Sequence, residues 1–100
     1  MSAAVPAALA ELRAQIEDID RALVALIAQR VNAARSVGRT KRQHGLGIVD
    51  PAREAAVVRR AVELAREQQL DEEDVREIFW HIIGLSRRAQ LEGHAETPAP

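Results

Sequence analysis

The stretch IAQRVNAARSVGRTK, residues 27–41, decides the fold, because it reads as a strong helix with one residue out of place. Upstream of it, apolar residues recur in alternating steps of three and four: Leu9, Leu12, Ile16, Ile19, Leu23 and Leu26. The series resumes at Ala33 and Val37. This is the spacing of a helical seam held against other helices. The member between Leu26 and Ala33 should be apolar, and it is Arg30. A guanidinium in a seam either fixes register and snorkels to water, or it meets an anion there.

Working outward, no proline interrupts the chain between Pro6 and Gln43, and Gly38 is the one glycine. The stripe therefore predicts a single helix of about 35 to 38 residues, roughly 55 Å long at 1.5 Å per residue. A compact 100-residue monomer has a radius of gyration near 13 Å, so such a rod overhangs its own domain. Two shorter helices cannot cover its stripe. The expected architecture is all-α, with one very long and two shorter helices forming an intertwined homodimer or a higher oligomer.

The segment RQHGLGIV, residues 42–49, carries two glycines and ends the first helix. Asp50-Pro51 then reads as an N-cap followed by proline at the first helical position. The second helix is expected to run to about Gln68, with Ala55, Val58, Val62 and Ala65 facing inward. Asp71 and Asp74 resemble a capping box with Asp in place of the usual Glu. The third helix follows to about Glu92 and stops at Gly93, with a stripe of Val75, Ile78, Phe79, Ile82, Leu85, Ser86 and Ala89. The chain divides into a flexible start (1–8), one helical domain (9–92) and a disordered tail (93–100). No repeat and no strand pattern is visible.

Composition narrows the class. The 100 residues hold 14 basic and 15 acidic side chains, a formal net charge of −1, two aromatics and no cysteine. A near-neutral balance argues against a nucleic-acid or anionic-membrane partner. Cysteine-free chains suit a reducing compartment, and the start lacks the basic region of a signal peptide. Nothing approaches the run of roughly 18 apolar residues that spans a membrane. A cytoplasmic protein is expected.

Arg30 has company. Lys41 lies eleven residues on, close to three turns, and projects from nearly the same face about 16 Å along. Alone it would read as a solvated helix end; two cations on an interior face with no acid beside them call for an anion. In DPAREA, residues 50–55, Asp50 reads as a plain cap. Arg53 sits in the first turn, where the helix dipole disfavours a cation, and Glu54 beside it could serve as its ion-pair partner. Ser86 breaks an apolar stripe, and Gln90 lies one turn below. Ser86 can bond back to the preceding turn, and Gln90 can be simple surface.

Together these residues supply cations, amide and hydroxyl donors and carboxylate acceptors, all on inward faces. His44, His81 and His94 are scattered without metal-ligand spacing. There is no nucleophile paired with a base, no phosphate loop and no cofactor fingerprint, so neither metal nor cofactor is expected. The pattern describes a pocket that grips a small polyanion electrostatically.

An Arg in the first helix, L-x-x-x-I-x-x-R, a Lys eleven residues on, D-x-x-R-E opening the second helix and I-x-x-S-x-x-x-Q in the third resemble the all-helical chorismate mutase family over about residues 9–92. The resemblance implies an entwined three-helix homodimer with two active sites that converts chorismate to prephenate, on the route to phenylalanine and tyrosine. It implies that Arg30 and Arg13 bind the substrate carboxylates, and that Lys41 and Gln90 hydrogen-bond the ether oxygen. It implies that Asp50, Arg53, Glu54 and Ser86 surround the ring hydroxyl and the remaining carboxylate contacts. Arg13 and Arg30 are 17 residues apart on one rod, about 25 Å, too far to hold one such ligand from a single chain. The resemblance places the Arg13 equivalent in the second subunit.

Three rival readings stand beside it. A 4-amino-4-deoxychorismate mutase would carry an amine where chorismate has its ring hydroxyl, and Glu54 could bind either. An isochorismate-pyruvate lyase of the same fold tends to lack the equivalents of Glu54 and Ser86. From another class, the chain could be a non-catalytic helical dimerisation or regulatory module.

Overall fold

The computed structural model describes residues 5–95, with side chains as far as residue 92, and its regular structure is three helices with no strand among the described residues. Helix α1 spans Ala7–Gln43, α2 spans Pro51–Glu67 and α3 spans Glu72–Ala95. The 37 residues of α1 form one uninterrupted rod. The chain extends over 67 × 32 × 18 Å with a radius of gyration of 18.8 Å, well above the value of about 13 Å for a compact chain of this length.

Local chemistry sets the boundaries. At the end of α1, the Leu46 amide donates to the Lys41 carbonyl at 2.8 Å and the Gly45 amide to Arg42 at 3.2 Å. This closure needs a left-handed residue, and Gly45 supplies it at φ +67°. Asp50 caps α2 by accepting from the Arg53 amide at 3.1 Å, with Pro51 in the first turn. Asp71 caps α3 through the Asp74 amide at 2.9 Å. Arg66 and Glu72, 2.7 Å apart, tie the two ends of the α2–α3 hairpin together.

Helix α3 lies between its neighbours and packs on both, whereas α1 and α2 do not pack directly on each other. The core of the single chain is small: Val58, Val62 and Ile83 with Val57 against them, supplemented by buried Ala34, Ala61, Ala65 and Ala89. Every residue from Val5 to Gln29 is exposed. Leu12, Ile16, Ile19, Leu23 and Leu26 each keep more than half of their surface open. The seam is thus present and bare over two thirds of the longest helix.

Three details depart from the sequence pattern. The first turn of α1 takes in Ala7 and Ala8, inside the stretch expected to be flexible. Helix α3 passes through Gly93 to Ala95; a lone glycine costs a helix only about 1 kcal/mol and need not end it. The rest of the expected tail, residues 96–100, lies outside the described residues, as do residues 1–4 of the start. On α3, Ile83 is buried while Ile78 and Leu85 remain exposed, because contact with α1 on one side and α2 on the other turns the buried face toward Ile83.

Candidate active site

A cavity of about 370 Å³ opens where the three helices converge. Ala33, Ala34 and Val37 of α1, Val57 of α2 and Ile83 of α3 form its apolar wall. Arg30, Lys41, Asp50, Arg53, Glu54, Ser86 and Gln90 line the same space. Seven of the eight residues singled out from the sequence therefore meet in one place. The eighth, Arg13, is exposed on the free half of α1 and takes no part in the cavity of its own chain.

Arg30 is half-buried, and its Nη1 donates to the Ser86 hydroxyl of α3. The seam changes use along α1: upstream its residues are bare leucines and isoleucines, and from Arg30 through Ala33 and Val37 to Lys41 it faces the cavity. Lys41 Nζ donates to Gln90 Oε1 at 2.9 Å and to the Ile48 carbonyl at 2.8 Å. A carbonyl of the α1–α2 loop thus fixes the ammonium from behind. The first of these bonds also orients the Gln90 amide, since its oxygen is taken by Lys41 and its NH₂ group is left as a donor.

The Gln90 backbone is held as closely as its side chain. Its carbonyl accepts from Arg42 Nη1 at 2.9 Å, and a Cβ on Gly38 would stand 2.6 Å from the same oxygen. Gly38 and Arg42, one turn apart on α1, therefore set how near α3 approaches and at what height.

Glu54 does not pair with Arg53. Neighbours in a helix diverge by about 100° and do not face each other. Its partner is Arg87 of α3, whose Nε donates to Oε2 at 3.1 Å while Nη2 donates to Oε1. These hydrogen bonds, and the carboxylate charge behind them, hold the Arg87 guanidinium above the ordinary arginine range.

Sequence reasoning missed Val57, Ile83, Gly38, Arg42 and Arg87. Ile83 sits three residues before Ser86, and Val57 three after Glu54, so helical spacing from known members would have reached both. Gly38 was conspicuous as the one glycine in a long helix. Nothing in the sequence pairs Arg87 with Glu54 across 33 positions; that contact depends on how α3 lies against α2.

Fold and site together define an all-helical protein whose cavity gathers three cations with hydroxyl and amide donors. Among the described residues, no group of His, Asp or Glu side chains is arranged to hold a metal ion, and no helix is long and apolar enough to cross a membrane.

Comparison with known proteins makes the class specific. The family described as chorismate mutase type II matches residues 12–91, and the chain belongs to that family. A chorismate mutase of Methanocaldococcus jannaschii is 36% identical over 89 residues, covering 89% of this chain and 90% of that protein. The T-protein of Haemophilus influenzae is 45% identical over 51 residues, which are 51% of this chain and only 14% of the relative. Among solved structures, a conserved hypothetical protein from Pyrococcus furiosus superposes with a TM-score of 0.70 at 31% identity, covering 86% of this chain and 99% of that one.

Proposed function

We propose that the chain is a chorismate mutase, an isomerase of aromatic amino-acid biosynthesis that converts chorismate to prephenate as an intertwined homodimer with two shared active sites. The observation that carries this reading is the convergence of Arg30, Lys41, Asp50, Arg53, Glu54, Ser86 and Gln90 from three helices on one cavity of about 370 Å³, within the range of small-molecule sites.

The reaction is a [3,3] rearrangement, unimolecular, and requires neither proton transfer nor a covalent intermediate. Catalysis then reduces to selecting a compact conformer and stabilising the charge that develops. Arg30, supported by Ser86, binds one carboxylate of the dianion, and Arg13 of the second chain binds the other. Clamping both ends folds the substrate toward the chair-like geometry in which its reacting carbons approach. As the C–O bond stretches, negative charge grows on the ether oxygen. Lys41 Nζ, which also donates to Gln90 Oε1 at 2.9 Å, and the Gln90 amide NH₂ donate to that oxygen more strongly in the transition state than in the ground state. A millionfold acceleration corresponds to about 8 kcal/mol, a demand these two effects can meet. Asp50, Arg53 and Glu54 hold the ring hydroxyl and the outer carboxylate.

The dimer follows from the bare seam. Leu9, Leu12, Ile16, Ile19, Leu23 and Leu26 are 39–59% exposed in the single chain. Burying what remains open is worth on the order of 5–9 kcal/mol per chain. A helix without a partner is marginal in water, so the free half of α1 is best accounted for by a second copy lying along it. That copy also brings Arg13 to the cavity, which Arg13 of the same chain cannot reach. A cytoplasmic site of action belongs to the same reading, as the cysteine-free composition suggests.

Assay of the purified protein with chorismate, 4-amino-4-deoxychorismate and isochorismate tests the proposal. Chorismate is expected to give prephenate with the highest kcat/KM. Failure to turn over any of the three, together with no micromolar binding of a bicyclic transition-state analogue, would leave a non-catalytic dimerisation or regulatory module.

A further inference from the structure

Arg87 does not line the cavity, but it holds Glu54, which does. Its guanidinium addresses both oxygens of one carboxylate, the fork geometry that fixes orientation as well as charge. Glu54 is the more enclosed partner, with 18% of its side chain exposed against 42% for Arg87. An enclosed carboxylate facing a cavity attracts any cation placed before it. Once paired with an arginine, which remains charged at every working pH, it presents little net charge and still has lone pairs free to accept a hydrogen bond.

We propose that Arg87 is a specificity-determining positioning residue: by neutralising and orienting Glu54 from behind, it makes the cavity prefer a substrate with a neutral hydroxyl on the ring over one with an ammonium at the same carbon. The inference rests on the proposed function, in which Glu54 meets the ring substituent. A hydroxyl needs only an acceptor held in the right direction, and Glu54 fixed by two donors provides it. An ammonium needs a counter-charge, finds that of Glu54 already matched, and faces the Arg87 charge one group further back. Specificity is a difference between two affinities, and Arg87 acts on it mainly by disfavouring the amine.

The fold makes this device local. Arg87 follows Ser86 on α3 and is turned about 100° from it toward α2, so one helical turn supplies both a cavity donor and the clamp on the acidic group opposite. Asp50, the other carboxylate of the cavity, already accepts from the first turn of α2 through Oδ1. Glu54 is therefore the acid whose charge the arginine controls.

The test compares kcat/KM for chorismate and 4-amino-4-deoxychorismate in the wild-type protein, in Arg87→Leu and in Arg87→Lys, with folding and assembly checked by circular dichroism and light scattering. Where turnover of the amine is too slow, its inhibition constant against chorismate serves instead. The preference for chorismate should fall about tenfold in Arg87→Leu, which leaves Glu54 bare, and by threefold or less in Arg87→Lys, which keeps the charge. In a Glu54→Gln background, Arg87→Leu should leave the ratio unchanged. A folded Arg87→Leu protein with the wild-type ratio overturns the proposal, and so does an equal fall with Gln at position 54. Should the leucine variant not fold, Arg87→Gln is read by the same criteria. Wild-type protein inert toward chorismate would refute the function itself, whereas active wild type with an unmoved ratio refutes only the role of Arg87.

Discussion

A Cβ at position 38 would lie 2.6 Å from the carbonyl oxygen of Gln90 and 2.8 Å from its Cα, both backbone atoms that cannot turn aside. Gly38 therefore allows α3 to approach α1 closely enough for Lys41 to reach Gln90. Gly38→Ala must push the helices apart at the level of the site, although alanine is the better helix former by about 1 kcal/mol. Overpacking of this kind costs roughly 1–3 kcal/mol, so the denaturation midpoint should drop despite the gain in propensity. Turnover should fall as well, by about tenfold or more, because hydrogen bonds aimed at a transition state are sensitive to sub-ångström displacement. Wild-type kcat in the alanine variant would show that the close approach is not what aligns the donors.

Lys41 carries the largest single electrostatic role in the proposed mechanism. Its ammonium is fixed by the Ile48 carbonyl and by Gln90 before any substrate binds. Preorganised donors at a developing charge are worth about 10²–10³ in kcat each, and a full positive charge belongs at or above the upper end. Lys41→Ala should lose about a thousandfold in kcat while remaining folded and dimeric, as measured by steady-state assay and light scattering. Turnover near normal in that variant would remove Lys41 from the mechanism.

How far the sequence could be read differs between fold and site. The three helices were legible because each is marked at both levels: a persistent apolar stripe within, and Gly45, Asp50-Pro51 and Asp71 at the breaks. Arg30, Lys41 and Ser86 were legible as polar residues occupying apolar positions. Gly93 misled, since in α3 it is carried within the helix. The supporting contacts were not legible. Glu54 had an arginine beside it in sequence and another across the α2–α3 interface, and only packing decides for Arg87. Likewise, Arg42 looks like an ordinary cation at a helix end until α3 brings the Gln90 carbonyl to it.

The α2–α3 turn offers a test of stability away from the site. Gln69 adopts φ 60°, and Leu70 closes the turn by donating to the Ala65 carbonyl at 2.9 Å. This is the closure that Gly45 performs at the end of α1, here carried out by a residue with a Cβ. Left-handed backbone costs a side-chain-bearing residue roughly 1–2 kcal/mol, and part of that is returned as unfolded-state entropy when glycine replaces it. Gln69→Gly should stabilise the protein by about 0.5–1 kcal/mol with unchanged turnover. A lower midpoint in chemical denaturation would mean that the glutamine side chain contributes more than its backbone strain costs.

Whether sites are shared between chains can be tested without a structure of the assembly. Arg13 and Arg30 lie on one rigid helix, 17 residues apart, which fixes them about 25 Å from each other. If each cavity takes Arg30 from one chain and Arg13 from the other, Arg13→Ala and Arg30→Ala homodimers are both defective at every site. In a mixed dimer, one cavity receives both mutations and the other receives neither. Unfolding and refolding the two variants together at equal concentration gives half mixed dimers, each with one intact site, and activity should rise to roughly a quarter of wild type for an isologous pair. Refolding either variant alone should restore nothing. Should the mixture stay as inactive as its components while light scattering reports dimers, Arg13 and Arg30 serve the same cavity from one chain or Arg13 serves none, and the trans arrangement is wrong.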